Sequence, residues 1–243
     1  MAKTIVITGA GSGIGKACAV LFLAKGWNVA LIGRRIDPLE AVAKSHKNAL
    51  AISCDVADEN QVEAAFSQIS HHFDQIDVLF NNAGLFTPGA SIDQIKLSDW
   101  KKLVDVNLTG SFLCARAAFT MMRGQNPQGG RIINNGSISA HSPRPNSSPY
   151  TATKHAITGL TKSISLDGRP FNITCGQIDI GNARTELIEN LAKSAQAVGN
   201  APEATMDVDH VASSVLHMAE LPPESNVLFM TVMASNMPFV GRG

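Results

Sequence analysis

Short apolar runs alternate along the chain with longer stretches in which apolar residues recur every third or fourth position. The β-branched run Thr4–Thr8 reads as a strand, and the spacing after it predicts a helix over Gly13–Lys25. Asn28–Ile32 reads as a second strand, Pro38–Lys47 as a helix, Ala49–Ser53 as a third strand, and Asp58 to Phe73 as a helix. Asp77–Phe80 is a fourth strand, and Ser98 offers an N-cap for a long helix reaching Arg123. Beyond it, Arg131–Asn135 reads as a strand, Ser148–Leu166 as a helix and Asn172–Cys175 as a strand. Asp207 caps a helix to Ala219, and Val227–Met233 reads as the last strand. Strands that are apolar almost throughout are buried on both faces. The alternation therefore predicts an α/β fold, a doubly wound parallel sheet with helices on both sides. No linker-like stretch or internal repeat divides it, so residues 1–243 read as one domain.

Composition removes whole classes of function. The chain is 44% hydrophobic and 16% charged, as globular proteins are. Twenty basic and twenty acidic side chains cancel, leaving no global field to draw in nucleic acid or an acidic membrane surface. No stretch approaches the ~18 apolar residues of a spanning helix, and the apolar run at the N-terminus is too short for a signal peptide. A cytoplasmic protein with no nucleic-acid or membrane partner is expected. Cys18, Cys54, Cys114 and Cys175 lack zinc-ligand spacing, and the adjacent His71 and His72 point to different sides of a helix. No metal is expected.

The first strand runs into Thr8-Gly9-Ala10-Gly11-Ser12-Gly13-Ile14-Gly15. Glycines allow positive φ and close backbone approach, and the helix that follows offers free N–H groups to a diphosphate. Between a strand and a helix, this run predicts dinucleotide binding by Gly9, Ser12, Gly13, Ile14 and Gly15 on a Rossmann-type sheet. At the end of the second strand an acidic residue would favour NAD through the ribose hydroxyl. This chain has Gly33-Arg34-Arg35 there, and arginine pairs with phosphate. Arg34 and Arg35 therefore favour NADP, with NAD kept as the alternative by Asp37.

Tyr150, the one tyrosine in the chain, lies four residues before Lys154, which puts both on one helix face. A nearby ammonium favours phenolate over phenol, which makes such a tyrosine a usable proton donor and acceptor. Ser137 follows the strand Arg131–Asn135, where its hydroxyl can hold a substrate oxygen. Asn107 lies inside the long helix, where asparagine is a poor former, and reads as a buried hydrogen-bonding post.

In this order the residues resemble the short single-domain branch of the short-chain dehydrogenase/reductase family. Thr8–Gly15 resembles its cofactor loop, Asp55-Val56 its adenine-contacting pair, and Asn81-Asn82-Ala83-Gly84 its strand-four motif, with Asn82, Ala83 and Gly84 at the cofactor. Asn107, Ser137, Tyr150 and Lys154 match its catalytic tetrad. The resemblance implies an NADP-dependent oxidoreductase acting on a small alcohol or ketone, in which Tyr150 moves the proton and Ser137 bonds the reacting oxygen. Lys154 would touch the nicotinamide ribose, Asn107 would anchor a water, and the assembly would be a homotetramer on the helices near Ser98–Arg123 and Ser148–Leu166. A 3-oxoacyl thioester reductase and a nucleotide-sensing regulator on the same fold are the alternatives.

Departures from the family pattern cluster after the sixth strand. Cys175-Gly176 stands where the family carries Pro-Gly, which makes Ile178 the carboxamide-contacting position and puts Ile180 in place of a threonine. Asn182 or Thr185 offers a substitute contact. A nucleophilic role for Cys175 lacks an acid–base partner. Ser139–Pro149, with His141, Arg144 and Asn146, and the small polar segment Asn182–Thr205 resemble the substrate loop and lid.

Overall fold

The computed structural model describes residues 2–87, 89–186, 188–190, 201 and 203–240. Its order is β1 (Thr4–Thr8), α1 (Gly13–Ala24), β2 (Asn28–Gly33), α2 (Ile36–Ala43), β3 (Ala49–Ser53), α3 (Glu59–Phe73), β4 (Val78–Asn81), α4 (Leu97–Leu103), α5 (Gly110–Gly124), β5 (Gly130–Asn135), α6 (Ser148–Gly168) and β6 (Ile173–Ile180). The short β7 (Ala183–Arg184) and β8 (Met206–Asp207) pair with each other, and α7 (Val208–Glu220) leads to β9 (Phe229–Val232).

Seven strands form one sheet in the order β3-β2-β1-β4-β5-β6-β9, and every neighbouring pair is parallel. The chain winds outward from β1 in one direction and from β4 in the other. The crevice between the carboxyl ends of β1 and β4 is the point where such sheets bind ligands. Alternation along each strand divides the core cleanly. Ile5, Ile7, Val29, Leu31, Val78, Phe80, Ile178 and Ile180 belong to one cluster, which takes in Cys18, Ala19 and Phe22 of α1 and Val211, Ala212 and Val215 of α7. Val6, Ala30, Ile32, Leu79, Ile132, Ile173 and Cys175 belong to the other, with α3 and α5. Burial on both faces is why these strands read as continuous apolar runs.

Three expectations shift. The second helix starts at Ile36 and stops at Ala43, with Arg35 at its N-cap and Pro38 inside its first turn, where a missing N–H costs nothing. The long helix opens at Leu97, capped by Lys96 rather than Ser98, and it is not uniform. Val104–Thr109 forms a π turn between α4 and α5. The sixth strand runs to Ile180, five residues past the expected end at Cys175. Its polar residues Gln177 and Asp179 point to the same face as Ile173 and Cys175, toward α6, and both are fully buried.

Candidate active site

A cleft of about 520 Å³ opens over the carboxyl ends of β1, β4, β5 and β6. One end is built from backbone. Gly9 and Gly13 hold φ values of +68° and +51°, which disfavour any side chain. A Cβ on Gly15 would collide with the Gly9 carbonyl oxygen. Ser12 caps α1 in extended conformation but makes no side-chain cap bond, and the first turn carries no acid. The first N–H groups of α1 are thus left to a ligand, and the helix dipole favours an anion there. The Thr8 hydroxyl accepts from the N–H groups of Asn82 and Ala83 at 2.9 Å each, and the Asn82 amide donates to the Thr8 carbonyl at 2.9 Å. The β1 and β4 loops are locked together before any ligand arrives.

The lining gathers Gly9, Ser12, Gly13, Ile14, Arg35, Asn82, Ala83, Gly84, Ser137, Tyr150 and Lys154. Gly15 stands just behind, where it lets the loop close. Arg34, Asp37, Asp55 and Val56 lie outside that lining. Val56 is buried and packs on Gly110, while the Asp55 carboxylate accepts the Ala57 N–H at 3.1 Å.

At the other end the chemistry-bearing side chains converge. Lys154 is nine-tenths buried, and its Nζ donates to the Asn135 carbonyl at 2.6 Å while standing 5.5 Å from the Tyr150 ring centroid. Tyr150 packs edge-on against Phe86 with ring centroids 5.1 Å apart. Ser137 Oγ accepts the Ser139 N–H at 3.1 Å, which leaves its own proton to a ligand. Asn107 sits in the π turn, a distortion frequent at functional sites. Its amide accepts the Leu85 N–H at 2.7 Å, donates to the Leu85 carbonyl at 3.0 Å and to Thr153 Oγ1 at 3.4 Å. That side chain fixes the loop after β4, and the Asn107 main-chain carbonyl accepts the Ser111 hydroxyl at 2.9 Å.

Ile178 is a correction. It lies two residues inside β6, is fully buried in the core cluster, and gives its carbonyl to the Gly136 N–H at 2.8 Å. The longer strand moves the cleft contacts to Ile180, Gly181, Asn182 and Ala183. Thr185 reaches the phosphate end, its side chain lying 3.3 Å from where a Gly13 Cβ would be. Asn182 is engaged, accepting from Arg144 at 3.2 Å and donating to Glu203 at 2.7 Å, with Arg144 and Glu203 paired at 2.8 Å. Half of the expected lid, residues 187, 191–200 and 202, lies outside the described residues. Cys175 is sealed in the core, and burial pushes its thiol up to about 12, which removes it as a nucleophile. The loop position of His141 is legible in the sequence, but its link to Gln177 and Asp179 is not: the buried Gln177 and Asp179 and the half-exposed His141 form one polar group beside Ser137. The signal was present in Gln177-Ile178-Asp179, two polar residues on one face of an apolar strand.

A family model described as short chain dehydrogenase matches residues 3–196. The chain belongs to the short-chain dehydrogenase/reductase family. It is thus an oxidoreductase acting on CH–OH or C=O groups. This short-chain dehydrogenase is similar to the 3beta-hydroxysteroid dehydrogenase of Mediterraneibacter gnavus, 33% identical over 191 residues that cover 77% of this chain and 68% of the relative. Its fold is similar to that of a 3-ketoacyl-(acyl-carrier-protein) reductase from Brucella melitensis complexed with NADH. The TM-score is 0.85 at 26% identity, over 96% of this chain and 98% of that one. ElxO with NADP bound gives a TM-score of 0.84 at 27% identity, over 96% and 97%. Among the described residues no helix is long and apolar enough to cross a membrane, and no group of His, Cys, Asp or Glu is arranged to hold a metal.

Proposed function

We propose that this short-chain dehydrogenase transfers hydride between NADP(H) and a small alcohol or ketone, with Tyr150 as proton donor and acceptor. The observation that carries this reading is the union of two ends in one cleft. The glycine cradle at Gly9–Ile14 and the cluster Ser137, Tyr150 and Lys154 share a single lining. A cradle whose glycines leave room for phosphate, beneath uncapped N–H groups, fits a dinucleotide diphosphate. When bound, the nicotinamide supplies or accepts the hydride. The protein does the rest. Tyr150 gives its proton to the carbonyl oxygen in reduction and takes it back in oxidation. Ser137 donates its free O–H to the same oxygen, and the Lys154 ammonium stands 5.5 Å from the Tyr150 ring centroid. Asn107 holds the loop that carries Leu85 and Phe86.

NADP is preferred over NAD because Arg35 lines the cleft and Gly33 ends β2 without a carboxylate, whereas Asp37 stands outside the lining. Arg34 backs Arg35, and Asp55 and Val56 serve the adenine. Likeness to a 3-ketoacyl-(acyl-carrier-protein) reductase supports a second reading in which the ketone is a 3-oxoacyl thioester. Residues 1–243 act as one domain in this reading. Exposed Phe112 on α5 and Leu166 on α6 support a homotetramer, and a monomer mass by light scattering would refute it.

The test is spectrophotometric. NADPH is added to ketones, diketones and acetoacetyl thioesters, and loss of reduced cofactor is followed. Tyr150→Phe should lower kcat by roughly 10²–10⁴-fold while NADPH binding, read by fluorescence, is retained. Full turnover in that variant sinks the reading. Equal or tighter binding of NADH than NADPH overturns the cofactor preference.

A further inference from the structure

We infer that Asp179, with His141 as its partner, is a positioning residue that clamps the main chain of Ser137. The inference rests on the reading of Ser137 as the donor to the reacting oxygen.

A fully buried carboxylate is tolerated only when every oxygen is partnered, and Asp179 shows zero exposure. Its Oδ1 accepts the Ser137 N–H at 2.9 Å and the Gln177 amide at 2.7 Å. Its Oδ2 lies 2.7 Å from His141 Nε2. Gln177 is held in turn: it donates to Thr158 Oγ1 at 3.1 Å and accepts from Thr161 Oγ1 at 3.2 Å. Thr161 accepts from Asn134, so the seam is continuous from β5 through α6 to Asp179. The carboxylate is anchored from behind and presents one oxygen to the serine.

Gly136 makes the approach possible, since a Cβ there would collide with the Asp179 carboxylate. Ser137 is then fixed at three points. Its N–H goes to Asp179, its Oγ takes the Ser139 N–H, and its carbonyl takes the Ala140 N–H at 2.8 Å. Only the hydroxyl proton is left uncommitted, and it belongs to the cleft. A charge-assisted bond is about twice as strong as a neutral one, so a carboxylate holds that peptide more firmly than a carbonyl would. His141 is half-exposed, does not line the cleft, and packs near Phe239, which makes it the outer partner of the pair rather than a group at the substrate.

The experiment is a double-mutant cycle on kcat, KM and NADPH affinity, using a ketone the wild-type protein reduces. Displacing a reacting group by about 1 Å costs on the order of 10²-fold. Asp179→Ala should therefore lower kcat by about that factor and leave NADPH affinity unchanged. Asp179→Asn, whose amide oxygen still accepts the Ser137 N–H, should restore most of kcat. Combined with Ser137→Ala, Asp179→Ala should cost nothing further, because it acts only through that hydroxyl. His141→Leu should lower kcat by a smaller factor that vanishes in the Ser137→Ala background. If Asp179→Ala does not fold, Asp179→Ser, which returns one oxygen to the cavity, takes its place in the cycle. Wild-type kcat in Asp179→Ala beside a crippled Ser137→Ala overturns the clamp and leaves the proposed function standing. Losses that multiply in the double variant overturn it too. A Ser137→Ala variant at the wild-type rate overturns both.

Discussion

The corner after β1 and the corner after β6 line the same cleft and are built on opposite principles. The first is made of backbone. Gly9, Gly13 and Gly15 stand where positive φ or close approach excludes a Cβ, and the working groups are N–H groups of α1. The second is made of buried side chains. Gln177 and Asp179 turn the end of an apolar strand into an anchor for Ser137, and their partners come from α6 and the loop after β5. A backbone site depends on residues a few positions apart. A side-chain site depends on groups brought together by the whole fold.

That difference gives the order in which the two corners can be broken. Ile178→Ala should have the largest effect on stability, roughly 2–5 kcal/mol for a fully buried isoleucine, with cofactor affinity unchanged. Urea unfolding and NADPH titration read the two quantities separately. Loss of affinity without loss of stability would return Ile178 to the cleft. Gly15→Ala comes next, at about 1–3 kcal/mol of strain, and here NADPH binding should weaken together with stability, because the added methyl pushes on the Gly9 carbonyl. A stable variant with normal affinity would mean the cradle is not the phosphate site. Asn182→Ala removes bonds to Arg144 and Glu203, each worth about 1 kcal/mol. It should raise KM for the ketone several-fold with little change in folding, and an unchanged KM would take Asn182 out of the substrate end.

The smallest effect at neutral pH lies in the core beneath both corners. Burial raises the Cys18 and Cys175 thiols from the ordinary 9.0 to about 12, and Cys54 to about 11. The folded state thus keeps protons that the unfolded chain releases. Stability contributed this way is intact below pH 9 and falls as pH rises through the interval to about 12. Native protein near pH 8 should resist thiol reagents, and rapid labelling there would contradict the burial.

The same contrast explains what could be read from the chain. The parallel sheet, the glycine loop and the spacing of Tyr150 and Lys154 all follow from local pattern, since each element carries its own period or its own glycine. Asn107 was readable as an oddity inside a helix, although its π turn was not. The end of β6 was misread because Gly176, Gln177 and Asp179 break the apolar run. Polar residues end a strand unless other elements satisfy them, and Thr158, Thr161 and His141 do so from α6 and the loop after Ser137. Equating Cys175-Gly176 with the family's Pro-Gly put Ile178 at the cleft, two residues short of the segment that lines it. Glu203 and Arg144 meet across 59 residues of sequence, a separation that local pattern does not bridge.

The most direct test of the central claim is a crystal structure of the protein with NADP⁺. The diphosphate should lie on the N–H groups of Ser12–Ile14, the 2′-phosphate at Arg35, and the nicotinamide between Tyr150 and the Ile180–Ala183 segment. A dinucleotide lying elsewhere, or a nicotinamide remote from Tyr150 and Ser137, would contradict it.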